Sequence, residues 1–232
     1  MLFKTIKQEI SKYPDGEKLL QMAFTHRSYA TENKLDYDNQ RLEFLGDAVL
    51  ELATSTFLFK KYPDAQEGTL TALRAAMVRE ETLAMLAREL KLGGKLRSGK
   101  GEREQQGHKR DSTLADLFEA MLGACHIACG YETTAKIIYD IFEEYIPDPM
   151  HAFSKLNPKG ILQELTQKYL KCTPAYKIIT MSGPPHRPVY DVEVCAGKYV
   201  TPGRGQSRRD AEAQAAAKLT VHLKKILDLK NE

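Results

Sequence analysis

The sequence predicts an all-α N-terminal domain followed by a small α+β domain of order helix, three strands, helix. Three observations carry this. Through about residue 145 the apolar residues recur three and four apart, with no period-two run. The segment "IPDPMHAFSKLNP" then breaks the pattern with Pro147, Pro149 and Pro158. Strand-like alternation appears only beyond it. The expected division is a helical domain over 1–147, a linker over 148–157 and the α+β domain over 158–227.

Within the first domain, "GEKLLQMAFTHRSYA" reads as one helix. "NQRLEFLGDAVLELATSTFLFKKY" reads as a second, stopped by Pro63. A third, "GTLTALRAAMVREETLAMLAREL", is expected to end at Gly93–Gly94. "GGKLRSGKGEREQQGHKRD" is polar and glycine-rich and carries six basic residues, Lys95, Arg97, Lys100, Arg103, Lys109 and Arg110. Its composition favours a solvated loop. "STLADLFEAMLGACHIACG" forms the next helix, with Gly130 as its C-cap and a last helix reaching Tyr145. In the second domain "PKGILQELTQKYL" is an amphipathic helix, "AYKIITM" and "VYDVEVCAGKYVT" alternate like antiparallel strands, and "SRRDAEAQAAAKLTVHLKKIL" closes the chain.

Composition narrows the function classes. At 42% hydrophobic and 28% charged residues the chain is ordinary for a globular protein, and no apolar run has the length of a membrane span. "MLFKTIKQEISK" lacks the apolar core of a signal peptide. Cys125, Cys129, Cys172 and Cys195 make no dense disulfide framework, and Cys125 and Cys129 read as small residues on an apolar helix, so a reducing cytoplasm is expected. The net charge of +3 is unevenly spread. Residues 1–150 carry 20 Lys and Arg against 24 Asp and Glu, whereas residues 151–232 carry 14 against 7. A basic module on a mildly acidic body points to a polyanion.

The candidate chemistry lies in two acid pairs. Glu43 and Asp47 are four apart in "RLEFLGDAVLEL", and Asp116 and Glu119 are three apart in "LADLFEAMLG". At helical spacing each pair shares a face among apolar neighbours. Four carboxylates facing each other would suit the hard ions Mg²⁺, Mn²⁺ or Ca²⁺. The chain has neither the Glu-x-x-His pairs of a di-iron bundle nor a His-Glu-x-x-His zinc motif. Spacing by itself favours a solvated, salt-bridged face over a metal site, and the apolar neighbours weigh the other way.

In the C-terminal domain, Arg208 and Arg209 fall in the first turn of the last helix, where positive charge is unfavourable unless an anion binds. Ser207 is the expected N-cap, with Asp210 three residues on and flexible glycines before it. Gln163 and Glu164 are polar groups on the first helix, and "GPPHRP" is a turn carrying His186.

"RLEFLGDAVL" resembles the signature helix of ribonuclease III, the endonuclease of double-stranded RNA, and "AFTHRSYA", "EGTLTALRAAMV" and "LADLFEAMLGA" follow the family's order and spacing. The last 70 or so residues resemble a double-stranded RNA-binding domain, most clearly in "GPPHRPVYDVEV" and "SRRDAEAQAAA". The resemblance implies a ribonuclease III fold and Glu43, Asp47, Asp116 and Glu119 as ligands of Mg²⁺, with Mn²⁺ as a substitute. Asp47 and Glu119 would be catalytic, and Glu67 a further acid near the metal. It also implies a homodimer with Phe44 at its interface, no organic cofactor and no membrane partner. Both strands of double-stranded RNA would be cut by a metal-activated water, leaving 5′-phosphate and 3′-hydroxyl ends with a short 3′ overhang, in precursor rRNA and other structured transcripts. Gln163 and Glu164 would meet one minor groove and His186 the next, while Arg204, Ser207, Arg208 and Arg209 would take phosphates. The basic stretch 95–110 becomes an RNA-facing element under this reading.

One position departs from the family pattern, Gln40, where the family often has Glu. The main rival is a non-cleaving double-stranded RNA-binding scaffold, which would not need the acids. A di-metal oxidase lacks histidine ligands and leaves the basic domain unexplained.

Overall fold

The computed structural model describes residues 2–153, 158–184 and 188–227. They fall into two compact units, Met1–Pro63 with Arg74–Pro149, and Asp64–Leu73 with Met150–Glu232. Among the described residues no helix is long and apolar enough to cross a membrane.

The first unit is helical. After α1 (Leu2–Ile10) come α2 (Gly16–Ala23) and α3 (Arg27–Glu32), where the sequence predicts one helix. The break has a tertiary cause. Arg97 pairs with this strand of backbone, donating its N–H to the Phe24 carbonyl at 2.8 Å and accepting from the His26 N–H at 2.9 Å. Extended His26 then caps α3, its Nδ1 accepting from the Ser28 N–H. The next helix, α4 (Gln40–Lys61), ends just before Pro63 as expected.

The third expected helix is also two, α5 (Glu67–Val78) and α6 (Glu80–Glu89). Arg79 is extended between them, and the buried Thr82 hydroxyl donates to the Ala76 carbonyl across the break at 2.7 Å. Helix α6 stops before Gly93–Gly94, because Lys91 already adopts a left-handed φ of 56°. After the short α7 (Lys100–Glu104), α8 (Asp111–Tyr145) runs through the unit's centre, bent at Gly130, whose φ of 74° favours glycine. Leu117, Phe118, Met121, Leu122 and Cys125 of α8 are fully buried and pack against α4 and α6. A single turn, α9 (Pro149–Ala152), follows.

The second unit has the predicted order. Helix α10 (Pro158–Leu165) continues as a wider π turn to Leu170, before β1 (Ala175–Ser182), β2 (Val189–Ala196), β3 (Tyr199–Gly205) and α11 (Arg208–Ile226). The strands form one antiparallel sheet in the order β1-β2-β3, and the β2–β3 hairpin turns at Gly197, where φ is 58°. Leu162 and Leu165 meet Val194, Ala196, Ala215, Ala216, Leu219 and Leu223 in the core, so both helices cover one face of the sheet.

Candidate metal centre and nucleic-acid interface

The acid pairs converge because α4 and α8 cross at two glycines. A Cβ on Gly46 would collide with the Glu119 carbonyl oxygen, and one on Gly123 with the Leu42 carbonyl. Backbone-to-backbone contact at these points brings the carboxylates on the neighbouring turns together. Glu43, Asp116 and Glu119 can each place an oxygen within 4.8 Å of the others, and all three are half-buried. Asp47 is exposed at the edge of this group, and its charge acts on both Glu43 and Glu119.

The electrostatics are those of a site short of positive charge. Burial, then Asp47, Glu43 and Asp116, push the Glu119 carboxyl up to about 8. Burial raises Glu43 as well, reinforced by Asp116, Asp38 and Asp47. Asp116 is raised by burial and by Glu80, against a smaller lowering by His26. Among the described residues none of the four acids has a Lys or Arg ion-pair partner. A cluster of oxygen donors that repel one another and lack protein cations fits a hard divalent ion.

Sequence reasoning missed Asp38, Glu80 and His26 around these acids. Asp38 accepts from the Gln40 N–H at 3.1 Å, so an acid does stand near Glu43 although residue 40 is an amide. His26, Gln40, Glu43, Thr113 and Asp116 line one cavity of about 470 Å³. The histidine is held from behind, with Nδ1 2.7 Å from the Ser28 hydroxyl, which also accepts from the Gly99 N–H at 2.8 Å. "THRSYA" contained these residues, but only the fold reveals what they face.

The basic stretch 95–110 is not a loose solvated loop. The Arg97 guanidinium reaches the Thr25 hydroxyl at 2.8 Å and the Tyr37 hydroxyl at 3.2 Å, and lies 4.8 Å from the Tyr29 ring centre. Arg103 donates to the Ser98 carbonyl, Arg110 pairs with Glu102, and the Lys100 N–H is held by the Glu32 carboxylate. Lys95 sits over the Phe3 ring, Lys100 pairs with Glu104 at 4.0 Å, and Lys109 donates to Gln106. All six basic side chains therefore have intramolecular partners, and the stretch straps the segment bearing His26 into place.

Glu67 opens α5, is exposed, and accepts from the Thr71 hydroxyl at 2.8 Å. Glu67 belongs to the second of the two units. Phe44 is 80% exposed on α4, beside a cavity of about 890 Å³ whose apolar lining includes Leu19, Met22, Leu35, Leu45 and Ile127. Together with that lining, Phe44 makes a contiguous apolar patch, the kind of surface that marks an interaction site.

In the second unit Ser207 caps α11, its hydroxyl accepting from the Asp210 N–H at 3.1 Å. Arg208 and Arg209 project from the first turn, and Arg208 Nε donates to Glu212 at 2.8 Å. Arg204 is on β3 between Gly203 and Gly205, both of which press on α11. Strand alternation sends Arg204 to the opposite face, where it pairs with Asp191 at 3.6 Å. On α10, Gln163 donates to Gln66 at 2.6 Å, and half-buried Glu164 lies near Thr69, both partners belonging to the 64–73 segment of the same unit. His186 lies outside the described residues.

Residues 16–145 match the Ribonuclease-III-like family, and residues 158–222 the double-stranded RNA binding motif. Ribonuclease 3 of Natranaerobius thermophilus is 44% identical over 215 residues, covering 91% of this chain and 92% of the relative. Ribonuclease 3 of Oleidesulfovibrio alaskensis is 43% identical over 205 residues, covering 86% and 88%. That of Bacillus velezensis is 43% identical over 227 residues, covering 96% and 90%. Among solved structures, the nuclease domain of ribonuclease III from Campylobacter jejuni matches with a TM-score of 0.56 at 37% identity, over 62% of this chain and 97% of that one. That structure is described as flexible in a region involved in dimer formation.

Proposed function

The chain belongs to the ribonuclease III family, and on that premise we propose that it is an Mg²⁺-dependent endoribonuclease that cuts both strands of double-stranded RNA. The observation that carries this reading is the group Glu43, Asp116 and Glu119, with oxygens within 4.8 Å of one another and no Lys or Arg ion-pair partner among the described residues. A non-cleaving scaffold has no use for three mutually repelling carboxylates held half-buried.

Glu43, Asp47, Asp116 and Glu119 would hold the ion, with Mn²⁺ an acceptable substitute because the donors are all oxygen. Bound there, Mg²⁺ would supply an activated water and would stabilise charge on the departing 3′ oxygen. The chain's own groups position and orient. The glycine-lined crossing of α4 and α8 fixes Glu43 and Glu119 relative to each other. Asp47, at the exposed edge, is the acid open to an incoming duplex. His26, fixed through Ser28, keeps a polar contact surface beside Asp116. Water rather than a protein side chain would attack the phosphorus, and the P–O3′ bond would break, which would leave 5′-phosphate and 3′-hydroxyl ends.

Cutting both strands calls for two such sites, and we extend to this chain the dimer formation named for the Campylobacter jejuni nuclease domain. Phe44 of one copy would enter the apolar cavity beside Phe44 of the other, placing each copy's acids opposite one strand and leaving a short 3′ overhang. The functional division is 1–147 for cleavage, 148–157 as linker and 158–227 for binding. Gln163, Glu164, Arg208 and Arg209 supply contacts to a duplex, read by its A-form shape over roughly 16 bp. Structured transcripts, precursor rRNA among them, are the expected substrates, and four free cysteines suit the cytoplasm.

The test is incubation of the purified chain with an end-labelled RNA duplex, with Mg²⁺ or with EDTA. Short duplex products with 5′-phosphates only in Mg²⁺ support the reading. An intact duplex in both lanes, with binding retained, would return the scaffold.

A further inference from the structure

Glu212 is an acid one turn beyond the arginine pair that opens α11. It is only 6% exposed, and a carboxylate at that depth is costly unless its charge is matched. Both its oxygens are engaged. Lys159 Nζ of α10 donates to Oε2 at 2.5 Å, and Arg208 Nε of α11 donates to Oε1 at 2.8 Å. The two cations outweigh burial and hold the carboxyl below its ordinary value, so it is ionised at neutral pH.

One carboxylate needs one cation, and here it has two. The surplus positive charge faces water, since the Lys159 side chain is 41% exposed and that of Arg208 64%. Arg208 uses Nε, and among the described residues neither terminal nitrogen of its guanidinium fork has an acceptor, which leaves both for another. Lys159 is fixed from a second direction, with its ammonium 4.4 Å from the centre of the Tyr176 ring on β1. The Tyr176 hydroxyl beneath is buried without a hydrogen-bond partner among the described residues. Three elements thus converge to hold two half-exposed cations at fixed positions, an arrangement that one structural ion pair does not require.

We infer that Glu212 is a positioning residue that sets Lys159 and Arg208 side by side as a phosphate-binding pair for the RNA backbone. The inference rests on the reading that this unit binds double-stranded RNA. It assigns Lys159 a phosphate and makes an acid a contributor to polyanion affinity. Simple electrostatics gives the opposite sign, because removing a negative charge from a polyanion-binding surface should tighten binding.

The experiment measures affinity of the full chain for an RNA duplex in EDTA, over a series of salt concentrations, for the parent and for Glu212→Gln, Lys159→Met and Arg209→Ala. Thermal melting checks each fold. Glu212→Gln is expected to bind several-fold to about tenfold more weakly, and Lys159→Met to lower the salt slope by about one. Adding Lys159→Met to Glu212→Gln should then cost less than it costs alone. A folded Glu212→Gln chain that binds as tightly as the parent, or more tightly, overturns the inference. If that variant does not fold, Lys159→Met decides, and an unchanged slope overturns it. A parent that binds no duplex signals instead that the RNA-binding reading itself has failed, whereas an Arg209→Ala chain that binds like a duplex-binding parent removes only Arg209 from the interface.

Discussion

Gly46 of α4 lies against the backbone of Glu119 in α8, so close that a Cβ at position 46 would overlap the Glu119 carbonyl oxygen. Gly123 repeats the contact one turn along, against the Leu42 carbonyl. The acid cluster is therefore a consequence of a helix crossing that admits no side chain.

Gly46→Ala should force the helices apart. Overpacking of this kind costs about 1–3 kcal/mol. The expected outcome is a lower melting temperature together with loss of cleavage, measured by thermal unfolding and by a duplex-cutting assay. A variant that melts and cuts like the parent would show that the crossing does not set the site.

The pH dependence of stability follows from Glu119. In the metal-free protein burial and the neighbouring acids hold this carboxyl at about 8, above its ordinary value of 4.5. The folded chain therefore keeps a proton that the unfolded chain has lost across that range. The unfolded state binds fewer protons there, so stability falls as pH rises from about 4.5 to about 8. Melting in EDTA across this window should show the decline. Mg²⁺ should raise the melting temperature most at the alkaline end, where the carboxyls are most ready to give up their protons.

Phe44 gives a prediction about assembly. At 80% exposure it contributes little to the core of its own chain. Phe44→Ala should leave the monomer's fold intact and weaken the dimer by roughly 2 kcal/mol or more, the usual cost of losing a central aromatic anchor. Sedimentation at falling concentration reads this directly. A dimer unchanged by the substitution would place the interface elsewhere.

Arg97 gives a prediction about the strap. It joins Thr25, Tyr37 and the Tyr29 ring to the stretch after α6. Arg97→Met should destabilise the chain by about 1–3 kcal/mol through lost charge-assisted hydrogen bonds. It should lower cleavage more than duplex affinity, because it loosens the segment bearing His26. Equal losses in cutting and binding would instead make Arg97 an RNA contact.

Much of this architecture is legible in residue spacing. The period of α4 and α8 puts each acid pair on one face, and the change to alternation after Pro158 marks the sheet. Gly130 was readable as a break because only glycine sits easily at a φ of 74°. The breaks at His26 and Arg79 were not, since each is made by a partner distant in the fold or by a side-chain hydrogen bond, Arg97 in one case and Thr82 in the other. Helical spacing alone does not separate Phe44 from the buried apolar residues of α4, and only the family resemblance puts it at a surface. The basic stretch 95–110 looked solvated because composition does not record that its cations pair within the chain. Asp38, Glu80 and His26 lie around the acids through tertiary packing alone, which no local pattern signals.

If Glu119 belongs to a metal-holding group, its task is cleavage rather than recognition. The most direct measurement compares Glu119→Gln with the parent on one labelled RNA duplex, reading cleavage in Mg²⁺ and affinity in EDTA. Cleavage is expected to fall by several orders of magnitude, with affinity within about twofold of the parent's, since Gln keeps the shape and removes one ligand charge. Cleavage at the parent's rate, or a loss of affinity matching the loss of cutting, would contradict it.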